Sequence, residues 1–580
     1  MILLVCLLVP AVLEAGAWVL SSARWTDQDE KVYENFVQAL GESGHGNLNK
    51  FIRDARLNPL YGEEDKKFSL SPDCADLPYQ LRAYVAYKLR LPFGYVSAIS
   101  SKGGDQRYSY GNKPSDFKDQ DSFSSPQSLF GNVTLVNSGY YRMAPEVNNG
   151  DSYPIKIQKE SVVPGTIYYD PNGHVAVVYH VTNDGRIRVI DAHPDKSLSR
   201  PWFGGKFAIG GKAQGGGFRR WRPIWYSSDG HIRRLDNVNI PDFSATDQYQ
   251  KTFQLTGIGP VNYYDYVRFR LAVSGGKINP LDEVRQTILE IFEDIKYRVE
   301  AVEICLRANL HKREHPGALP YNIYGTDGEW EQYSTPSRDA RLKVAFGELF
   351  QRVVQMIRMA ESNDPNLVYS GSSRQLAEDL LRLYESLNPS LPVTYVNSLG
   401  KPVVLTFHDV LQRLFLLSFD PYHSPELRWG ATGSELASAN DSALKKKMYS
   451  LEARLRNHLE RLYNCRTGFD LGPETPPDVD FRNWLVRYLN GAVSPGATPH
   501  IVQEQARPLP VMTTLPSTPA QVVTAAPTTV APADQRLELQ RNPEQELEQC
   551  SRELIRRFDL FAKSVVTLSK TTMVQTPSQK

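Results

Sequence analysis

The chain is poor in cysteine, carries almost no net charge and has no long hydrophobic run. Five cysteines in 580 residues, with no CxxC pair among them, exclude a disulfide-stapled scaffold and a thiolate zinc site. A net charge of +1 removes the global field that draws proteins to nucleic acid or anionic lipid. Beyond the N-terminus no stretch is apolar enough to span a bilayer. No internal repeat is present, and neither a Walker sequence nor a Gly-rich turn between strand and helix offers a nucleotide site. Nothing in the sequence calls for a metal or an organic cofactor.

What remains is an ordinary globular composition, 41% hydrophobic and 11% aromatic, in a chain too long for one core. The first residues, Met1 to Val9, are apolar and are followed by small residues around Ala15-Gly16-Ala17 and Ser21-Ser22-Ala23. They read as a secretory signal over 1–23, although no Lys or Arg precedes the apolar core. Residues 24–235 read as one α+β domain. Helices come first, with Val32, Phe36, Val37 and Leu40, then Leu48, Phe51 and Ile52, then Leu77 to Leu89 at helical spacing. A Ser-, Gly- and Asn-rich stretch over 100–150 reads as a long surface loop. From 162 the period changes to two. Strands are expected over 167–169, 175–181 and 187–190, and Asn183-Asp184-Gly185 is a hairpin turn.

The chemistry-bearing residues lie in this domain. Cys74, in Ser71-Pro72-Asp73-Cys74-Ala75-Asp76-Leu77, stands at a helix start that Asp73 can cap. A helix N-terminus stabilises a thiolate, and the Cys74 amide could donate to an oxyanion. His174 opens the strand Gly173-His174-Val175-Ala176-Val177 and can serve as the base. Its second ring nitrogen needs an acceptor, which the next strand offers at Asp191 and His193. With a turn at Asn183-Asp184, residue 193 lies opposite 174 and Asp191 lies diagonally, about 7–8 Å off between backbones. His193 is therefore the first candidate and Asp191 the second, an order that a bulge could reverse. His180 shares the face of His174 but lies too far along the strand. Asp76 reads as a first-turn acid favoured by the helix dipole.

Asp73-Cys74-Ala75-Asp76-Leu77, Pro164-Gly165-Thr166-Ile167-Tyr168-Tyr169 and Gly173-His174-Val175-Ala176-Val177 together resemble the papain-like superfamily. The likeness is nearest to the NlpC-type and CHAP-type cell-wall hydrolases and looser to the transglutaminase-like proteases. It covers about residues 60–195. Ala75-Asp76 departs from the Ser-Gly of the NlpC-type pattern, and Ile190-Asp191-Ala192 is closer to the transglutaminase-like one. The resemblance implies a papain-like fold, with Cys74 attacking an amide, His174 as base, and His193 or Asp191 orienting it. It also implies an oxyanion role for Tyr61 and a peptide or peptidoglycan-like substrate.

The second half is different. After a connector over 236–279, Asn279 and Pro280 begin a long helix with a seam of Leu281, Val284, Ile288, Ile291, Ile295, Val299, Val302 and Leu306. Further helices are expected from Thr335-Pro336 and over 373–387, 408–418 and 442–463, with a hairpin between Val393 and Phe407. This is a helical domain over 280–490, with the seam as internal core and no catalytic constellation. A Cys305–Cys465 bridge is conceivable within it. Residues 491–534 form a disordered Pro/Thr-rich linker, and residues 535–580 a C-terminal helix and tail that could meet a protein partner. The basic, aromatic stretch over 196–234 reads as loops packing their aromatics on the sheet. The expected function is an exported cysteine hydrolase, periplasmic or extracellular. The alternative is an exported scaffold that uses the same domain without turnover.

Overall fold

The computed structural model describes residues 16–497 apart from 274, 325–327 and 460–471. The apolar leader to residue 15, the linker from 498 onward, the C-terminal helix and Cys465 lie outside the described residues. Cys305 is a buried free thiol that donates to the Pro421 carbonyl at 3.3 Å.

Helix α1, Asp27–Glu42, is started by a capping box between Thr26 and Asp29 and buries Tyr33, Phe36, Val37 and Leu40. Helix α2, Leu77–Leu89, is buried nearly all round. Both pack on a six-stranded antiparallel sheet. Its strands are β1 (Ser152–Pro154), β2 (Ile167–Asp170), β3 (His174–Val181), β4 (Ile187–Ala192), β5 (Leu198–Ser199) and β6 (Gly217–Trp221), in the spatial order β1-β6-β2-β3-β4-β5. Alternation splits β3 between two cores. Val175, Val177 and Tyr179 face α1 and α2, whereas Ala176 and Val178 face Phe207, Phe218 and Tyr263. Gly41 on α1 has no alternative, because a Cβ there would collide with the Tyr179 ring.

Two expectations are corrected. The stretch 100–150 is not a surface loop. Lys113–Asp119 pairs with Gly94–Ser100, Pro126–Asn132 is helical, and Leu129, Phe130, Tyr141 and Met143 are buried. Its order comes from side chain to backbone bonds that leave no periodicity in sequence. Arg142 reaches the Ser109 and Pro171 carbonyls, and Asn112 reaches those of Gln106 and Gly139. The second correction concerns residues 16–23. Ala17 and Trp18 are buried, Trp18 Nε1 donates to the Leu91 carbonyl at 2.9 Å, and the Ser21 amide donates to Arg90. Ala17 and Trp18 belong to the core, so a cut after Ala23 would remove both from it.

In the second half α3 (Pro280–Arg307), α4 (Pro336–Glu361) and α5 (Ser373–Leu387) surround one core. Asn279 caps α3, and its seam residues Val284, Ile288, Ile291 and Ile295 are buried inside the chain. Phe407–Gln412, Ala443–Leu451 and Ala453–Arg456 are short helices. Val393–Val396 pairs with Pro402–Leu405 as expected. The connector is not a bare tether. Ile240, Phe253, Tyr263 and Val267 complete the second sheet core. The described residues form one compact unit, clamped by ion pairs from Arg186 to Glu283 and Glu290 and from Lys206 to Asp294. In the basic stretch, Phe203 packs against Tyr168 at 4.8 Å and Trp221 Nε1 donates to Tyr33 Oη, so these two are half-buried against the sheet cores, whereas Trp225 is exposed. No helix among the described residues is long and apolar enough to cross a membrane.

Candidate active site

The loop before α2 folds on itself. The Asp73 carboxylate accepts the amides of Ala75 at 2.9 Å and Asp76 at 3.4 Å, and Asp76 Oδ1 accepts the Asp73 amide at 2.7 Å. The Leu77 amide donates to the Asp73 carbonyl at 3.1 Å. These reciprocal bonds hold Cys74 on a turn just ahead of the helix, which begins at Leu77 with Asp76 at its N-cap, so Asp73 is not the cap and Cys74 is not on the first helical turn that was expected. The Cys74 amide has no intramolecular partner among the described residues, which leaves it free to meet an oxyanion.

His174 is set by a tight turn. Gly173 adopts φ +86°, a left-handed conformation that glycine enters without strain, and its amide closes on the Asp170 carbonyl at 3.0 Å. His174 then opens β3. Its Nε2 lies 2.6 Å from Asp191 Oδ2, and both residues are buried. The ladder Val177↔Ile190 and Val178↔Val189 projects His193 opposite His174, yet Asp191 makes the bond. The order of the two candidates is therefore reversed. An imidazole and a carboxylate are long enough to bridge the diagonal of a twisted antiparallel pair. His193 lies parallel to His174, ring centres 6.4 Å apart, and turns its Nε2 to Ser199 Oγ at 2.9 Å. Ser199, directly opposite Asp191 on β5, donates in turn to Asp191 Oδ1. Ser199 went unread in the sequence because a two-residue strand has no period to detect. His180 lies apart, its ring 3.9 Å from Glu42.

Electrostatics divide the site. Burial works to raise the Asp191 carboxyl, but the imidazoles of His193 and His174 and the bond from His174 outweigh it and hold Asp191 below the usual carboxylate range. Burial, with the charge of Arg338, lowers His193 and leaves it neutral. The His174 bond is thus the support that persists. Burial also pushes the Cys74 thiol up, and the charge of Asp73 adds to this; the Val175 amide, next to His174, acts the other way. Cys74 therefore rests as a thiol, contrary to the thiolate expected at a helix start. Asp76 is no dipole-stabilised acid either, since burial and then Asp73 lift its carboxyl to about 9.

The pieces meet at the first residues of β3 without closing. No hydrogen bond joins the Cys74 sulfur to the His174 ring among the described residues. The ring lies beside Phe207, centres 6.2 Å apart, on the opposite face of the sheet from α2. His174 Nδ1 has no hydrogen-bond partner among the described residues. Tyr61 is not brought to the site. Its hydroxyl donates to Glu63 at 2.9 Å in a surface cluster with Lys66. Tyr141, which the sequence did not single out, does reach the cysteine turn and donates to the Ala75 carbonyl at 2.7 Å. Comparison with family models, with curated proteins and with solved structures finds no match for this chain.

Proposed function

We propose that the protein is an exported cysteine hydrolase of amide bonds with a papain-like site, acting on peptides of the cell envelope. The observation that carries this reading is the 2.6 Å His174–Asp191 bond. It fixes the imidazole by one nitrogen, and the other has no partner among the described residues; the ring lies on the sheet face away from α2, so taking the thiol proton requires it to turn toward Cys74. In the reaction Cys74 attacks the amide carbon while His174 Nδ1 takes the thiol proton. The carbonyl oxygen gains the electron pair and is met by the Cys74 amide. His174 then returns its proton to the departing amine, and water, or an acceptor amine, releases the acyl group from sulfur. Because the thiol rests protonated, its proton leaves with the attack and not before it. Asp191 keeps the imidazole in the required tautomer and stabilises the imidazolium.

A reading without turnover, as an exported scaffold, draws on the raised thiol and the missing sulfur–imidazole bond. Labelling the full chain with a peptide vinyl sulfone separates the two. The hydrolase reading expects covalent addition at Cys74 by intact mass, slowed on the order of a hundredfold or more by His174→Ala. Equal labelling of His174→Ala and wild type, at the rate of an ordinary thiol, would leave the scaffold. Export carries its own check. N-terminal sequencing of secreted protein should find its first residue at or before Trp18, because that side chain belongs to the core.

A further inference from the structure

The helical half holds a second group of potential ligands, beside a small cluster of Phe419, Tyr422 and Leu455. Asp420 and His423 lie on one loop, and Glu452 follows the helix Ala443–Leu451; all three are fully buried. One ligating atom from each lies within 4.8 Å of the others. The imidazole is set as a ligand would be. His423 Nε2 donates to the Lys445 carbonyl at 3.0 Å, which fixes the tautomer and leaves Nδ1 as a lone pair, 2.7 Å from Ser418 Oγ and 4.0 Å from the Glu452 carboxylate. Asp420 has its own outer partner. His315 Nδ1 accepts the Gly317 amide, so the ring proton sits on Nε2, which donates to Asp420 Oδ2 at 2.8 Å.

Glu452 is the residue out of balance. Its Oε1 is buried and meets no N–H or O–H donor among the described residues, and its carboxyl group lies against that of Asp420. Its Oε2 accepts a long bond from Arg456 at 3.4 Å, a guanidinium that also donates to the Tyr449 carbonyl at 2.7 Å and lies 3.8 Å over the Tyr449 ring. Two neighbouring carboxyl groups in a dry core need something positive between them, a proton or a metal ion. The His423 ring stands beside both carboxyl groups, Nε2 3.8 Å from Asp420 Oδ2 and Nδ1 4.0 Å from Glu452 Oε2, so a metal ion would find a nitrogen donor there as well.

We propose that Asp420, His423 and Glu452 bind one divalent first-row transition ion, with His315 holding Asp420 in place. One nitrogen and two carboxylate donors with no thiolate suit Zn²⁺ or Mn²⁺ over Mg²⁺ or Ca²⁺, which take oxygen alone. Binding exchanges the Ser418 hydroxyl for the ion at His423 Nδ1. It draws the donors inward, because ligand atoms around Zn²⁺ lie roughly 2.0–2.1 Å from the ion. The ion would pin the Asp420–His423 loop to the end of the Ala443–Leu451 helix, a structural role independent of Cys74.

The test uses the full chain purified without metal-affinity steps. Elemental analysis should find about one equivalent of Zn²⁺ or Mn²⁺. Chelation with EDTA should remove it and lower Tm, and Zn²⁺ or Mn²⁺ alone should restore both. Glu452→Gln imitates a protonated Glu452 with the shape kept. On this proposal it loses the ion at least about tenfold and its Tm no longer responds to EDTA. Should Glu452→Gln fail to fold, the wild-type metal content and EDTA response decide. Wild-type protein that carries no ion, takes up neither Zn²⁺ nor Mn²⁺ at micromolar concentration and keeps its Tm in EDTA would overturn the proposal and leave a shared proton. Retention of the ion by Glu452→Gln would overturn the ligand assignment.

Discussion

The molecule builds the same pair twice, with opposite consequences. In the sheet half His174 meets Asp191 at 2.6 Å, and in the helical half His315 meets Asp420 at 2.8 Å. His174 is 7% exposed and has one nitrogen without a partner among the described residues, at the head of the strand whose Val175 amide meets the Cys74 thiol. The His315 side chain is wholly buried, and its second nitrogen is closed by the Gly317 amide. An imidazole–carboxylate pair is thus not a reactive site in itself. What separates the two is whether a nitrogen remains open and what stands near it.

The comparison breaks first at the carboxylates. Asp191→Asn should slow vinyl sulfone labelling of Cys74 by on the order of a hundred- to ten-thousandfold, since the amide favours the wrong tautomer, while urea unfolding changes far less. A labelling rate equal to wild type would reduce the sheet pair to a structural one. The helical half should answer in stability instead. Arg298, buried between Asp339 and the carbonyls of Ser418 and Arg428, leaves an unpaired buried carboxylate when replaced. Arg298→Met should therefore lose about 3–5 kcal/mol in urea unfolding and leave labelling intact in the folded fraction.

A smaller effect is a pH slope. The folded state holds the Asp76 carboxyl up at about 9, against an ordinary value of 3.8. Between these values the folded chain binds a proton that the unfolded chain has lost, so stability falls as pH rises through that window. Asp76→Asn keeps the oxygen that accepts the Asp73 amide and should flatten the fall of Tm between pH 5 and pH 8.5. An unchanged slope would mean that Asp76 is ionised in the fold. Smallest of all is Tyr61→Phe. With the hydroxyl on the surface beside Glu63, labelling should stay at the wild-type rate and stability within about 0.5 kcal/mol. A large loss of labelling would bring the tyrosine back to the site.

Where periodicity carried the information, the fold was legible. The Asn279 cap with the Val284–Ile295 seam, and the β3–β4 hairpin around Gly185, are local patterns that report their own burial. The turn around Cys74 is local too, but the helix begins three residues later than Asp73 suggests, at Leu77. The stretch 100–150 was not, because Arg142 and Asn112 organise it through single bonds to distant carbonyls. Trp18 was hidden by its place beside an apolar leader. The order of His193 and Asp191 was out of reach as well. It depends on strand twist and on Ser199, which becomes visible only once β5 is laid against β4.

By itself the sequence determined the α+β character of the first half, the helices of the second, and the residues that could form a nucleophile, a base and an orienter. Local preferences and period are short-range, so the chain states them directly. Tertiary structure alone decided that Asp191 takes the imidazole, that the thiol rests protonated, and that Asp420, His423 and Glu452 converge from separate segments. Those outcomes turn on desolvation and on distances between parts remote in sequence, which exist only after the chain has folded.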